Sequence, residues 1–499
     1  MTLKRTLYLA HRWLGVGMCL LFGMWFLSGV VLMYVYFPEL TPSERLQHLP
    51  DLKSSTVRES PNAMLAHHIP QSLVLTSVLG RPAWLAQTSS GAWRGLFADS
   101  GEPIDAIDAA DAKVAARVFL AAAEEGGAAI ERVDLIDMDQ WSVSGSLHTH
   151  RPLYRVHVDD ASGTVLYVSS QTGQVVRDTR RTERVWNWLG ANLHWIYPLA
   201  LRRHPEVWHW VVVILSLVGL ISIVSGAVIG IIRLRPNRPY RGRDWTPYRG
   251  IMKWHHVLGL VCSVFLFTFM LSGMFSMNPW GMFTPPDDYS EVPTHYRGAA
   301  PSQIDLHAME RVRDQLRDDP NAREIRWQWL HGQSTPVLVR SAEEYTLIDG
   351  EHRQFVSDAS VVQAAIGAIR SVHADSRLKG MERLEDYDSY YYSHAGRFRP
   401  LPILRLRFDD PGQSWFHIDA RTGELIAHLT SHDRTERWWY HGLHSLDFHI
   451  LLNNRPAWDL VMIFLSVLGF SMAITSIVGA WRRVAPRQRR SGNSGGNTE

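Results

Sequence analysis

The chain has 499 residues, 46% of them hydrophobic, and a formal net charge of +2 from 51 basic and 49 acidic side chains. That near balance of charge gives no support to nucleic-acid binding, and two cysteines are too few for a disulfide framework or a thiolate metal cluster. Mean hydropathy is close to zero (−0.13) despite the apolar content, so the apolar residues must be unevenly distributed along the chain.

Four stretches of 22 or more residues contain no Asp, Glu, Lys or Arg: Leu14 to Phe37, Val211 to Ile232, Val257 to Trp280 and Leu460 to Trp481. At about 1.5 Å per residue each is long enough to cross a roughly 30 Å hydrocarbon core as a helix. Lys4, Arg5 and Arg12 precede the first, as in a signal peptide, but the run is too long and no small-residue cleavage pattern follows, so a retained helix is expected. The link from Arg233 to Arg249 carries Arg233, Arg235, Arg238, Arg241, Arg243 and Arg249 against one acid, and the tail carries Arg482, Arg483, Arg487, Arg489 and Arg490. The positive-inside rule places both termini and this link in the cytoplasm.

The expected organisation is a membrane α-helical protein with two exported α+β domains. Residues 1–37 hold spanning helix 1 and 38–185 the first exported domain. Residues 186–233 hold an interfacial segment and helix 2, 234–250 a cytoplasmic link, and 251–280 helix 3. Residues 281–437 form the second exported domain, 438–483 an interfacial segment and helix 4, and 484–499 a cytoplasmic tail. Cys19 and Cys262 lie inside spans, where a cysteine is ordinarily a small buried side chain.

Each exported domain reads as two units of a short helix followed by a β-hairpin. They are Pro61 to His68 then Ser72 to Ala98, Ala109 to Glu124 then Arg132 to Val176, Ser302 to Arg317 then Glu324 to Ile348, and Ala359 to Val372 then Glu382 to Ala427. Tyr154, Val156 and Val158, and Leu404, Leu406 and Phe408, alternate as strands do. Turns are expected at Asp159, Asp160 and Gly163 and at Asp409, Asp410 and Gly412, and tight turns with positive φ at Thr172-Gly173 and Thr422-Gly423.

The most informative pattern is a long repeat. His11, Leu14, Gly15, Ser28 and Gly29 recur 244 residues later as His255, Leu258, Gly259, Ser272 and Gly273. His194, Trp208, Leu215, Ser216, Gly219 and Arg233 recur after 250 residues as His444, Trp458, Leu465, Ser466, Gly469 and Arg483. Two such halves about an approximate two-fold axis would present two pairs of equivalent imidazoles, His11 with His255 and His194 with His444. Two bis-histidine haems need such pairs.

His256 follows His255, but neighbouring helical residues point about 100° apart, and the repeat selects His255. His209, His441 and His449 remain alternative ligands at the opposite end. Ala191 and Leu199 occupy the positions of His441 and His449, so the halves are not chemically identical there. Met18, Met24 and Met274 are available thioethers, although methionine in an apolar helix is usually packing. Gly15, Gly29, Gly259 and Gly273 suit either close approach of a flat macrocycle or plain helix packing. Trp13, Trp186, Trp188, Trp195, Trp254, Trp438 and Trp439 cluster at span ends as an interfacial belt would.

The stretches Pro152 to Val176 and Pro402 to Ile426 resemble PepSY domains, and Trp438 to Asp459 resembles the signature of the PepSY-associated transmembrane-helix family. That resemblance covers nearly the whole chain. It implies a bacterial inner-membrane protein with periplasmic domains, often iron-regulated, of the ferric-siderophore reductase type with two haem b groups as cofactor; the alternative is a haem-free PepSY binding or regulatory protein that acts on a periplasmic peptidase or other partner. The parts expected in the cytoplasm are too short for a nicotinamide or flavin domain and hold no glycine-rich dinucleotide fingerprint. Electrons would therefore come from a separate reductase or a membrane quinol. The partners implied are a ferric siderophore or other ferric chelate and the lipid bilayer. A carrier is disfavoured, because the spans hold no ionisable residue of the kind that marks ion-coupled pathways. Asp386 to His394 is aromatic and polar, and Tyr390, Tyr391, Tyr392 and His394, with Arg397 and Arg399 nearby, are candidate chelate contacts or an ordinary tyrosine-rich strand edge.

Overall fold

The computed structural model describes residues 3–122, 128–242, 245–330, 332–348, 357–393 and 397–485. Arg243, Arg487, Arg489, Arg490, His394 and the helix end expected at Glu124 lie outside the described residues. Four helices are long and apolar enough to cross a membrane: α1 (Leu3–Leu32), α2 (Pro205–Arg233), α3 (Ile251–Phe275) and α4 (Arg455–Val484). The protein is a multi-pass membrane protein with α+β sheet domains.

The helices follow the apolar runs but not their ends. α1 starts before the run, since Lys4, Arg5 and Arg12 are compatible with helix, and stops at Leu32 rather than Phe37. The remaining aromatic residues leave the helix, and Phe37 packs 5.8–6.5 Å from the rings of Trp141, Trp195 and Tyr197. α3 stops at Phe275 rather than Trp280, because Asn278 adopts a left-handed conformation (φ 44°) and Pro279 cannot continue the hydrogen-bond ladder. α1 packs along α4, α4 along α3, α3 along α2 and α2 along α1, which closes a four-helix ring. Leu20, Leu27, Val261, Val264, Phe464 and Val467 are exposed on its outside, as a lipid-facing surface requires.

Fourteen strands lie among the described residues. In the first half they are β1 (Pro70–Val78), β2 (Arg81–Thr88), β3 (Trp93–Phe97), β4 (Ala129–Ile136), β5 (Leu153–Asp159), β6 (Val165–Ser169) and β7 (Val175–Thr179). In the second they are β8 (Glu324–Leu330), β9 (Gln333–Val339), β10 (Tyr345–Leu347), β11 (Leu378–Leu384), β12 (Ile403–Phe408), β13 (Trp415–Asp419) and β14 (Leu425–Leu429). The units expected as hairpins are thus three- or four-stranded meanders. β4–β7 and β11–β14 each form a separate antiparallel sheet covered by one helix. Ala112, Ala115, Ala116, Phe119 and Leu120 of helix Ala109–Ala122 bury against Val156, Val158, Leu166 and Val168. Val361, Ala364, Ala365 and Ala368 of helix Asp358–Arg370 do the same against Leu404, Leu406 and Phe416. The i, i+3, i+4 spacing puts these apolar side chains on one helix face.

The other two units do not stand apart. β1 pairs antiparallel with β8, Leu73 opposite Trp327 and Leu75 opposite Ile325, so one six-stranded sheet runs β10-β9-β8-β1-β2-β3 across residues 38–185 and 281–437. Trp84, Trp327, Leu73, Leu75 and Ile325 fill its core with Met309, Val312 and Leu316 of helix Leu306–Asp318. The turn glycines Gly173 (φ 68°) and Gly423 (φ 73°) have the expected positive φ. At the other expected pair of turns, Gly163 is left-handed (φ 60°), but in the second half Gln413 (φ 50°) takes that role instead of Gly412. Gly412 is required for a different reason: a Cβ there would stand 2.6 Å from the Tyr289 ring.

A bidentate ion pair also ties the halves together. Arg45 donates to Glu324 at 2.6 and 2.8 Å, and the Glu324 side chain is 2% exposed. Burial alone would raise the Glu324 pKa, but the charge and hydrogen bonds of Arg45 hold it below the ordinary carboxylate value. This contribution to stability is therefore present above about pH 4.3 and is lost as pH falls through the depressed value. Glu324→Gln leaves the Arg45 charge unpaired and is expected to cost about 3 kcal/mol, the low end for a buried pair because Arg45 is a quarter exposed, read as a lower unfolding midpoint in detergent. An unchanged midpoint at pH 7 would contradict the role given to this pair.

Candidate functional site

Two histidine pairs lie inside the helix ring. His11 on α1 and His255 on α3 face each other across it, with ring centres 6.3 Å apart and planes tilted by 43°. His194 and His444 sit in the segments that lead into α2 and α4, with ring centres 6.0 Å apart and planes at 66°. These segments are positioned by π-helical turns at Trp188–Asn192 and Trp438–Gly442, followed by left-handed residues Ile196 and Leu446. Each fold-back is pinned by an indole: Trp208 donates to the Trp195 carbonyl at 2.9 Å and Trp458 to the Ser445 carbonyl at 2.7 Å. His11 and Ser28, the latter touching His194, are 17 residues apart on α1, so the two pairs are separated by about 25 Å along the helix.

Hydrogen bonding orients the four rings through Nδ1. His11 Nδ1 lies 3.1 Å from the Ser222 carbonyl and 3.3 Å from Ser225 Oγ, whose own hydrogen goes to that same carbonyl at 2.9 Å. His255 Nδ1 lies 3.2 Å from Thr475 Oγ1 and 3.4 Å from Ser476 Oγ, and both hydroxyls donate to the Met472 carbonyl. His194 Nδ1 lies 3.2 Å from the Trp25 carbonyl and 3.2 Å from Ser28 Oγ, which also donates to Trp25. His444 Nδ1 lies 3.2 Å from the Phe269 carbonyl and 3.1 Å from Ser272 Oγ, which donates to Thr268 and Phe269. A carbonyl can only accept, so Nδ1 is the donor in His11, His194 and His444; His255 Nδ1 meets two hydroxyls, which accept from it when they donate to Met472. Nε2 then carries the lone pair, and no Nε2 of the four has a hydrogen-bond partner among the described residues. A metal-ligating imidazole needs this arrangement.

Glycines make room for the rings and for what they face. A Cβ on Gly226 would stand 2.6 Å from His11 Cε1, on Gly29 3.3 Å from His194 Cε1 and on Gly273 3.4 Å from His444 Cε1. Gly15 and Gly17 meet nothing within 4 Å. The His11–His255 pair lines a cavity of about 360 Å³, walled by Gly15, Val16, Phe22, Phe26, Gly259 and Leu260 among others. Phe22, Phe26 and Leu266 also border the second cavity, which contains His194 and His444. Phe26 lies directly on the Gly469 backbone, where a Cβ would approach its ring to 2.4 Å.

The remaining sequence candidates are placed as follows. His256 is not available as a ligand, because Nδ1 pairs with Thr246 Oγ1 at 2.7 Å and Nε2 with the Gly230 carbonyl at 2.9 Å. His209 packs beside Trp210, His441 borders the second cavity beside Tyr440, and exposed His449 contacts Asn453 at 3.0 Å. Met18, Met24 and Met274 are absent from the lining of both cavities, whereas Cys19 borders the first and Cys262 is buried. No group of three or more His, Cys, Asp or Glu able to hold a bare metal ion occurs among the described residues. Sequence reasoning does not pick out Ser222, Ser225, Thr475 or Ser476. The available signal is that Ser225 and Thr475 share the 250-residue offset of the second repeat block.

The second cavity, about 1600 Å³, extends from the His194–His444 pair to the sheet domains. Tyr390, Tyr392, Arg397 and Arg399 border it. Tyr391 does not, because its ring is fully buried and its hydroxyl donates to the Pro400 carbonyl at 2.6 Å. Arg399 lies over the Tyr391 ring and Arg434 over Trp415, while Arg397 is paired with Glu39. Glu183 also borders the cavity, and its pKa is pushed up to about 6 by burial and by the nearby charges of Asp178 and Glu44, against the pull of Arg177 and the Arg180 amide.

Gly226→Ala forces the His11 ring away from Ser222 and is expected to cost about 1–3 kcal/mol, read as a lower unfolding midpoint in detergent. Gly17→Ala, outside the cavity lining and with no atom to displace, should not lower the midpoint. Equal midpoints for the two variants would contradict the placement of His11 against Gly226.

Among known families, the model described as PepSY-associated TM region matches residues 8–403. Comparison with curated proteins and with solved structures finds no match. The match covers most of the chain, from α1 through α3 and into β12, and the chain therefore belongs to the PepSY-associated transmembrane family.

Proposed function

We propose that this protein is a di-haem b-type inner-membrane reductase that passes electrons from the cytoplasmic side or the quinol pool to a ferric siderophore or other ferric chelate in the periplasm. The observation that carries this reading is the pairing of His11 with His255 and of His194 with His444, each ring engaged at Nδ1 and with no hydrogen-bond partner at Nε2 among the described residues. Two imidazoles on opposite sides of one metal, with metal–nitrogen bonds of about 2 Å, place their ring centres roughly 6 Å apart. The distances of 6.3 and 6.0 Å agree with that spacing. The apolar cavity and the glycines facing it also fit a flat macrocycle.

Bound at these two pairs, haem b would supply one-electron transfer between the two faces of the membrane. The protein's part is to hold and insulate. Ser222, Met472, Trp25 and Phe269 supply the carbonyls around which the four Nδ1 networks are built, and these keep the rings oriented and basic at Nε2. Phe22, Phe26 and Leu266 fill the space between the cavities and exclude water from it. The arginine-rich ends of α1, α2 and α4 support a cytoplasmic placement for the His11 end and a periplasmic one for the sheet domains. The larger cavity would then receive the chelate, with Arg399 and Arg434 favouring an anionic one. One electron converts its iron to the ferrous state, which siderophore ligands hold far more weakly, and Fe(II) leaves. The two halves of the chain would act as parallel repeats about a two-fold axis through the bundle.

Replacing His11 or His255 by Ala is expected to remove one haem from the purified protein, and replacing His194 or His444 to remove the other. Each variant should lose electron delivery to a ferric chelate while its partner site keeps a low-spin spectrum. Unchanged haem content in all four would contradict the assignment, and a colourless wild-type protein would favour a haem-free PepSY protein that binds a periplasmic peptidase. Because Glu183 loses its negative charge as pH falls through about 6, ferric citrate should bind roughly three- to tenfold more tightly at pH 5 than at pH 7. Glu183→Gln should flatten that dependence; equal slopes in both proteins would remove Glu183 from the chelate cavity.

A further inference from the structure

The cavity between His11 and His255 is chemically one-sided. Phe22, Phe26 and Leu266 close its end toward the second histidine pair, Arg483 lies at its opposite end near the close of α4, Arg12 borders it beside His11, and no Asp or Glu among the described residues lines it. Arg12 follows His11 on α1. Arg483 lies seven residues, about two turns, beyond Ser476 on α4, and α1 packs along α4. Neither guanidinium has a hydrogen bond or ion pair among the described residues. Arg233, at the position equivalent to Arg483 in the other half, is already committed: its Nε donates to Tyr8 Oη at 2.5 Å and its guanidinium lies over the Tyr8 ring. The positive-inside rule requires cations at this end of the bundle but not inside a cavity lining, and Lys4, Arg5 and Arg482 meet that requirement without bordering it.

We infer that Arg12 and Arg483 bind the carboxylates of the cofactor held by His11 and His255, so that its acidic edge points away from the second histidine pair and its apolar edge lies against Phe22 and Phe26. The inference rests on the haem reading above. Haem carries two propionates on one edge, and a guanidinium is the side chain best matched to a carboxylate. The two cations also make addition of an electron easier, since they favour the more negative state of the cofactor.

The test is a potentiometric titration of the purified two-haem protein beside Arg12→Gln/Arg483→Gln, Arg12→Lys/Arg483→Lys and Arg482→Gln. In the glutamine double variant, one of the two haems should become harder to reduce. Its oxidised-to-reduced ratio at fixed poise should rise about tenfold, equivalent to roughly 59 mV for a one-electron couple, while the other haem is unmoved. The same variant should release that haem to apomyoglobin about tenfold faster. The lysine pair should restore most of both values, and Arg482→Gln should match wild type. A glutamine double variant with two haems and unchanged potentials and release rates would overturn this inference alone. A wild-type protein without haem would overturn it together with the proposed function.

Discussion

The structure depends on one constraint: a helix carbonyl and a neighbouring hydroxyl, or two hydroxyls for His255, occupy the Nδ1 side of four half-buried imidazoles. Without them each ring could rotate, protonate at either nitrogen or turn Nε2 toward a backbone acceptor, as His256 does with the Gly230 carbonyl. The four-helix ring exists in a form that supplies these acceptors. His11 is held by α2 and His255 by α4, whereas His194 is held by α1 and His444 by α3. Every histidine is thus fixed by a helix other than the one it belongs to or leads into. Small residues where the rings touch backbone, Gly226, Gly29 and Gly273, follow from the same demand for close approach.

The sheet domains extend this order beyond the bundle. Pairing of β1 with β8 joins the first unit of each half in one continuous sheet, and the Arg45–Glu324 pair fastens the short helix Pro42–Gln47 after α1 to the start of β8. The segments that carry His194 and His444 emerge directly from the short helices after β7 and β14. Their geometry is therefore set from both sides, by the sheets above and by α1 and α3 below. The large cavity lies at this junction, bordered at once by the histidine pair and by side chains of the sheet domains such as Tyr390 and Arg434.

Much of this was legible in the sequence, and the gaps have physical causes. Long uncharged runs identify the four spanning helices because a bilayer tolerates little else. Their ends are less legible, since helix continues through Lys4 and Arg5 and is stopped at α3 by the left-handed Asn278 rather than by a change in polarity. The 244- and 250-residue offsets single out His11, His255, His194 and His444, and the structure places them in those two pairs. The hydroxyls that orient the rings were not legible, because a serine in a spanning helix usually bonds its own turn, and Ser225 and Thr475 do so as well. Pairing of β1 with β8 joins strands about 250 residues apart and leaves no local pattern. Tyr391 lies between two cavity-lining tyrosines, yet its ring turns into the core, because the segment is a tight turn in which the Tyr390 and Tyr391 amides both donate to Asp388 Oδ1.

Membership of the PepSY-associated transmembrane family and the four-helix architecture do not by themselves specify a cofactor; the histidine geometry is what points to one. The most direct measurement is a pyridine haemochrome count per chain on detergent-purified protein expressed with ample iron and haem precursor, alongside oxidised and dithionite-reduced spectra. Two b-type haems per chain with sharp low-spin reduced bands is the expected result. No haem, or a single haem with a high-spin spectrum, would contradict two bis-histidine sites.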